Sequence, residues 1–218
     1  MTEISPAILT NDISDFRKKY AELFALSHHF KELHVDFIDG KFLPNRTIMP
    51  GQDCRLKPPF RLTAHFMTLN PAQYFAIAKN DGYSTVIFQF EAMPNEAEVD
   101  RTVDLARTLG LRVGIAVNPE TKLFAIAKFI DKVDVIQLMA IHPGAQGREF
   151  LSEIYEKIRE LRQLSKNVII SVDGGVKVGI ARQLSKAGAD ILVAGSAILR
   201  SEDEDLAIEA LRADIETK

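Results

Sequence analysis

The sequence contains no tryptophan and a single cysteine, Cys54, in 218 residues. One thiol excludes a disulfide framework within the chain and any cysteine-rich zinc ribbon, and it points to a reducing, cytoplasmic setting. Cys54 has no histidine beside it in a recognisable arrangement, which makes it a poor candidate nucleophile. Basic residues are in slight deficit: 27 Lys and Arg face 30 Asp and Glu, for a formal charge of -3. That balance argues against a broad nucleic-acid-binding surface. A small anionic ligand is still compatible with it, because backbone amides and a metal can create local positive potential. The opening residues, Met1 to Asp12, lack the basic segment and long apolar stretch of a signal peptide, and no apolar run is long enough to span a bilayer. No linker, low-complexity tract or internal boundary interrupts the chain, so residues 1–218 are expected to form one domain.

What the chain does have is alternation. With 46% hydrophobic residues it can bury a full core. Short apolar runs that read as strands cover residues 4–9, 32–38, 61–67, 85–90, 112–117, 133–141, 168–173 and 190–194. Between them apolar residues recur at helical spacing. Ile13, Phe16, Tyr20, Leu23 and Phe24 follow a capping Asn11 or Asp12, and Asn70-Pro71 opens a further helix. Val99, Val103 and Ala106 mark a helix ending near Gly110; a short one starts near Lys122; Leu151, Ile154, Ile158 and Leu161 mark the next. One more ends near Gly188, and an acidic helical segment starts near Glu202. The Gly/Pro/Asn stretch from Asp39 to Gly51 is a loop, with only a poor helix signal after it. Eight such β-then-α units predict an α/β fold of the TIM (β/α)₈ barrel type. An open doubly wound sheet is the alternative. Eight parallel strands are many for it, and no Gly-rich fingerprint follows the first strand.

Polar residues fall at the ends of these strands. In the second, His34 and Asp36 alternate with Leu33, Val35 and Phe37, which places both on one face. His65 and Met67 end the third strand, Asn118 follows the fifth, Met139 lies late in the sixth and Asp173 ends the seventh. In a barrel the carboxyl ends of the strands carry the active groups. Two imidazoles and two carboxylates from three strands make a set suited to a divalent metal, with zinc, iron, manganese and cobalt all acceptable. If His65 and Asp173 face inward, then Leu62, Ala64, Phe66, Val168, Ile170 and Val172 face the helices. His28, His29 and His142 read as solvated or loop residues, and Asp39 as a turn acceptor.

Glycines form the second signal. Gly174 and Gly175 follow the seventh strand, and Gly195-Ser196 follows the eighth. Loops at these two places often bind phosphate in barrels, and glycine lets backbone N–H groups approach the oxygens. Gly144 and Gly147, in the loop after the sixth strand, are placed to close over a ligand.

The motifs His34-x-Asp36-x-x-Asp39-Gly40, Pro44-Asn45, His65-x-Met67, Asn118-Pro119, Met139, Pro143-Gly144, Val172-Asp173-Gly174-Gly175 and Gly188-Ala189-Asp190 through Gly195-Ser196 carry a resemblance. In order and spacing the chain resembles ribulose-phosphate 3-epimerases over nearly its whole length, from about Ile4 to Leu199. The resemblance implies a divalent metal held by His34, Asp36, His65 and Asp173. It implies inversion at C3 of a ketose 5-phosphate, with Asp36 and Asp173 exchanging protons on opposite faces. The chemistry is coherent. A proton α to a ketone is weakly acidic, so the enediolate needs a cation near its oxygens, and inversion needs an acid/base group on each side. Met67, Met139, Gly144, Gly147, Gly174, Gly175, Gly195 and Ser196 would contact the sugar phosphate. The related enzymes form dimers or larger rings, so a homo-oligomer is expected.

The chain departs from the family pattern at four places. Ala7 stands where the family has Ser, and Ser5 lies deeper on the same face. Ile38 stands for a Met, and Gln89 for a His, although Glu91 remains. The lid, usually Pro-Gly-Phe-Gly-Gly-Gln, is Pro143-Gly144-Ala145-Gln146-Gly147-Arg148. These changes raise two rivals to a D-ribulose 5-phosphate 3-epimerase: a 3-epimerase of another ketose phosphate such as allulose 6-phosphate, and a non-catalytic phosphosugar binder. A barrel decarboxylase of the orotidine-phosphate type relies on an Asp-x-Lys-x-x-Asp pattern, and the span from His34 to Asp39 has no Lys.

Overall fold

A computed structural model describes residues 2–52, 58–143 and 149–217. Cys54, Gly144, Ala145, Gln146, Gly147 and Arg148 lie outside the described residues, and with them most of the expected lid. Eight parallel strands close a barrel in chain order: β1 (Glu3–Ile8), β2 (Glu32–Ile38), β3 (Arg61–Met67), β4 (Thr85–Gln89), β5 (Arg112–Val117), β6 (Val135–Met139), β7 (Ile169–Asp173) and β8 (Ile191–Ala194). The seam is the β1–β8 pair, where Glu3 to Pro6 lie opposite Ile191 to Ala194. The expected (β/α)₈ architecture is therefore the observed one.

The α-helices are α1 (Ile13–Ala25), α2 (Ala72–Asn80), α3 (Glu96–Thr108), α4 (Ile154–Leu164), α5 (Ile180–Ala187), α6 (Ser196–Leu199) and α7 (Glu204–Glu216). Their starts follow local chemistry. Asp12 caps α1 by accepting from the backbone N–H groups of Ser14 and Asp15, and Asn95 and Asp203 do the same for α3 and α7. Gly188 stops α5 in a left-handed conformation, φ 113°, that glycine adopts without strain.

Two connections lack a regular α-helix among the described residues, in line with the short helix expected near Lys122 and the poor helix signal after the 39–51 loop. Residues Leu123–Lys132 form a 3₁₀ helix rather than an α-helix. Its buried Leu123, Ile126 and Phe129 recur every third residue, which is the 3₁₀ repeat. Between β2 and β3 no helix occurs among the described residues. There the chain folds back: Asp39 pairs with Arg46 in an isolated bridge, and Thr47 Oγ1 accepts from Ile38 N and lies 2.9 Å from the Asp36 carbonyl. The expected turn role of Asp39 is met, since its Oδ1 accepts from Lys41 N at 2.9 Å.

The strands sort their side chains as the period-two reading expects. Leu62, Ala64, Phe66, Val168, Ile170 and Val172 belong to the large apolar cluster between strands and helices. The inward phase carries the site. Among the described residues no helix is long and apolar enough to cross a membrane.

Candidate active site

Strand register builds the site. Asp36 sits opposite His65 across β2–β3, and Met139 opposite Asp173 across β6–β7. The barrel interior then brings the β2, β3 and β7 side chains to one point. His34 Nε2 lies 3.3 Å from Asp36 Oδ1 and 3.8 Å from Asp173 Oδ2. His65 Nδ1 lies 2.9 Å from Asp36 Oδ1 and 3.5 Å from Asp173 Oδ2. All four residues the sequence singles out as metal ligands converge.

The set suits a small divalent ion. Metal–ligand bonds of about 2.0–2.1 Å in a tetrahedron imply ligand–ligand edges of about 3.3–3.4 Å, and the four separations, 2.9 to 3.8 Å, bracket that edge. His34 Nε2 is fully buried and has no hydrogen-bond partner among the described residues, which leaves one ring nitrogen available to a cation. Burial opposes ionisation of Asp36, but the adjoining His34 and His65 imidazoles outweigh it and hold the carboxyl well below its usual range. Burial also disfavours the charged form of His65, and the Asp173 and Asp36 carboxylates overcome this and push its pKa up to about 9.

The cleft above the cluster is lined by Met67, Met139, Gly174, Gly175, Gly195 and Ser196, all expected substrate contacts. Gly174 has φ 104° and Gly175 φ 68°, and a Cβ at either would press into Ile141 or Phe150. The turn after β7 therefore needs both glycines. Asn118 stands apart from this lining; its backbone N–H donates to Glu91 Oε1 at 2.8 Å.

The departures take physical form here. Ala7 presents a methyl group to the cleft. Ser5 cannot substitute for a hydroxyl there: it is fully buried and its Oγ donates to the Glu32 carbonyl at 3.1 Å. Gln89 reaches the far side of His65, with Nε2 to Nε2 at 3.2 Å.

Gln137 is a site residue that the motif reading passes over. It is fully buried, and its Nε2 donates to Asp173 Oδ2 at 3.0 Å and lies 3.2 Å from His65 Nδ1. Ser171 Oγ donates to Gln137 Oε1 at 3.4 Å, which fixes the amide's direction. The signal was present: Gln137 is two residues before Met139, Ser171 two before Asp173, so each shares the inward phase.

The remaining histidines divide. His142 is exposed and pairs with Glu120 at 2.8 Å. His29 is a loop residue, one of the two expected alternatives, and its side chain is only 8% exposed, with Nε2 2.5 Å from Asp205 Oδ1 at the start of α7.

Comparison with known proteins agrees with this geometry. A model of the ribulose-phosphate 3 epimerase family matches residues 3–199. The chain belongs to the ribulose-phosphate 3-epimerase family. Among curated relatives, ribulose-phosphate 3-epimerase of Bacillus subtilis is 31% identical over 97% of this chain and 99% of its own. The Escherichia coli K12 protein of that name is 33% identical over 97% and 95%. The chloroplastic ribulose-5-phosphate-3-epimerase of Arabidopsis thaliana is 34% identical over 96% of this chain and 76% of its own. Among solved structures, a 3-hexulose-6-phosphate synthase superposes with a TM-score of 0.72 at 20% identity, covering 98% of this chain and all of that one. At that identity the likeness is one of fold, as it is for an orotidine 5'-phosphate decarboxylase from Pyrococcus horikoshii, with a TM-score of 0.70 at 17% identity, covering 99% of this chain and 100% of the other.

Proposed function

We propose that this chain is an isomerase that epimerises C3 of a ketose phosphate, with D-ribulose 5-phosphate and D-xylulose 5-phosphate as its pair. The observation that carries this is the meeting of Asp36 and Asp173 with two imidazoles beneath a cleft edged by glycine turns. The relatives' names support the same substrate.

His34 Nε2, Asp36 Oδ1, His65 Nδ1 and Asp173 Oδ2 would hold one divalent ion. When bound, such an ion supplies Lewis-acid stabilisation of the negative charge that develops on the sugar oxygens. The chain's own groups do the rest. The turns at Gly174-Gly175 and Gly195-Ser196 offer backbone N–H groups to the phosphate and fix the far end of the sugar. The second oxygens of Asp36 and Asp173 handle the proton at C3: one carboxylate removes it and the other carboxyl returns one from the opposite side. Asp36, held ionised by its histidine partners, has the character of a base, and Gln137 steadies Asp173 through Oδ2. Met67 and Met139 give the intermediate apolar, polarizable walls that keep water from the reacting carbon.

The deciding experiment is turnover of D-ribulose 5-phosphate in deuterated water by the metal-loaded chain. Deuterium at C3 of the xylulose 5-phosphate formed is the expected result. Binding without C3 exchange would mean a phosphosugar binder. A strong preference for allulose 6-phosphate in the same assay would replace the pentose by a hexose.

A further inference from the structure

We propose that Gln89 is a positioning residue: its side-chain oxygen holds the Nε2 proton of His65 and so keeps Nδ1 bare for the metal. This rests on the metal site described under the proposed function. It begins with the two nitrogens of one buried ring. His65 is fully buried, and its Nδ1 faces Asp36 and Asp173 at 2.9 and 3.5 Å. Its Nε2 points the other way, to the Gln89 amide at 3.2 Å. A neutral imidazole carries one proton. If Nδ1 gives its lone pair to a cation, the proton must sit on Nε2. An N–H sealed from water needs an acceptor, or it destabilises the form that carries it.

Among the described residues, Gln89 supplies the hydrogen-bonding contact to that nitrogen. As placed, however, its Nε2 faces the ring while its Oε1, also buried, has no partner. Two nitrogens can bond this way only if His65 Nε2 is a bare acceptor. The proton then sits on Nδ1, donated to Asp36 Oδ1, where it blocks the ligand position. The oxygen and nitrogen of a glutamine amide have nearly the same shape, so half a turn of the amide leaves the packing intact. It converts the contact into Nε2–H donating to Oε1 at a normal length for such a bond. The orientation with the amide nitrogen toward the ring suits only a neutral ring protonated on Nδ1, whereas the turned amide serves both the doubly protonated ring of the metal-free chain and the Nε2-protonated ring that leaves Nδ1 to a metal.

The other nearby amide cannot take this part. Gln137 approaches the opposite ring nitrogen and is tied by Ser171 at its oxygen and by Asp173 at its nitrogen. The side chain at position 89 thus decides which tautomer is supported. Leucine supports neither, whereas glutamate accepts only and supports the ligating one.

The test uses the purified chain, stripped of metal and then titrated with Zn²⁺ against a competing chelator. Long-range ¹H–¹⁵N spectra of the imidazoles are recorded before and after loading. The loaded chain should carry its His65 proton on Nε2. Gln89→Leu should lose about 10–100-fold in Zn²⁺ affinity, and Gln89→Glu should match or exceed the parent. A merely structural role would lower the thermal stability of the metal-free Leu variant without this ordering of affinities. Zn²⁺ affinity of Gln89→Leu within about twofold of the parent, a loaded His65 protonated on Nδ1, or a parent chain that takes up no Zn²⁺ would each overturn the proposal. If Gln89→Leu does not fold, the parent spectrum and the Glu variant decide. A chain that binds Zn²⁺ in this order but leaves C3 of the sugar unexchanged would refute the epimerase reading and leave this one standing.

Discussion

The two faces of the barrel wall differ in kind. Outside, Leu62, Phe66, Phe88, Ile115, Leu138 and Val172 join a single apolar cluster that runs beneath the helices. Inside, apolar side chains form two small groups, Ile87, Ala116, Val135 and Met139 in one and Ala7, Ile191 and Val193 in the other. Between these lie Ser5, Thr63, His65, Thr85, Gln89, Gln137 and Ser171, all buried. Among the described residues, Thr63 Oγ1 and Thr85 Oγ1 are buried without hydrogen-bond partners. Each such group weakens the fold by about 1–3 kcal/mol. The outer face therefore supplies the stability that the inner face spends on chemistry.

Substitutions on the two faces should separate these roles. The largest effect is expected inside: Asp173→Asn should lower kcat about 10²–10⁴-fold, with the unfolding curve of the metal-free chain little changed. Near-normal turnover of the purified variant would remove Asp173 from its role. On the outer face, Phe66→Ala should cost about 3–5 kcal/mol in denaturant unfolding, because Phe66 is fully buried among Phe37, Tyr74 and Phe75. The fraction that remains folded should still exchange deuterium at C3; loss of exchange would mean the faces are not separable. The smallest effect is a pH dependence. The His65 pKa is raised from 6.5 to about 9, so its ion pairs stabilise the metal-free chain fully below 6.5 and are lost as pH rises through 9. A metal must displace that same proton, so Zn²⁺ affinity should climb about tenfold per pH unit over the window and then level off. Chemical unfolding and Zn²⁺ titration at several pH values check the two opposite slopes. An affinity flat across the window would mean that His65 is not a ligand.

How much of this could be read from residues alone depended on the range of the interaction. The bounds of β2, β3 and β5 coincide with their apolar runs, because burial on both faces leaves little to blur the ends. The sixth run, 133–141, shortens to Val135–Met139, although Ala140 still donates its N–H to the Asp173 carbonyl and Ile141 continues the apolar pattern past the strand end. The His/Asp cluster was legible because strand phase and strand ends are local properties, and the barrel supplied the convergence. Gln137 was not, because a single amide in an apolar strand acquires meaning only from Asp173 on the neighbouring strand. The pairing of His29 with Asp205 was hidden for the same reason, being a contact between a loop and a helix far along the chain.

The seam between Glu3–Pro6 and Ile191–Ala194 bears on how the molecule is made. Translation delivers β1 well before β8, its lateral partner and the last strand of the ring, leaves the ribosome. Until then the nascent sheet has two unsatisfied borders, each able to recruit a neighbouring polypeptide. Shielding by chaperones should matter most in that interval and cease to matter once the ring is shut.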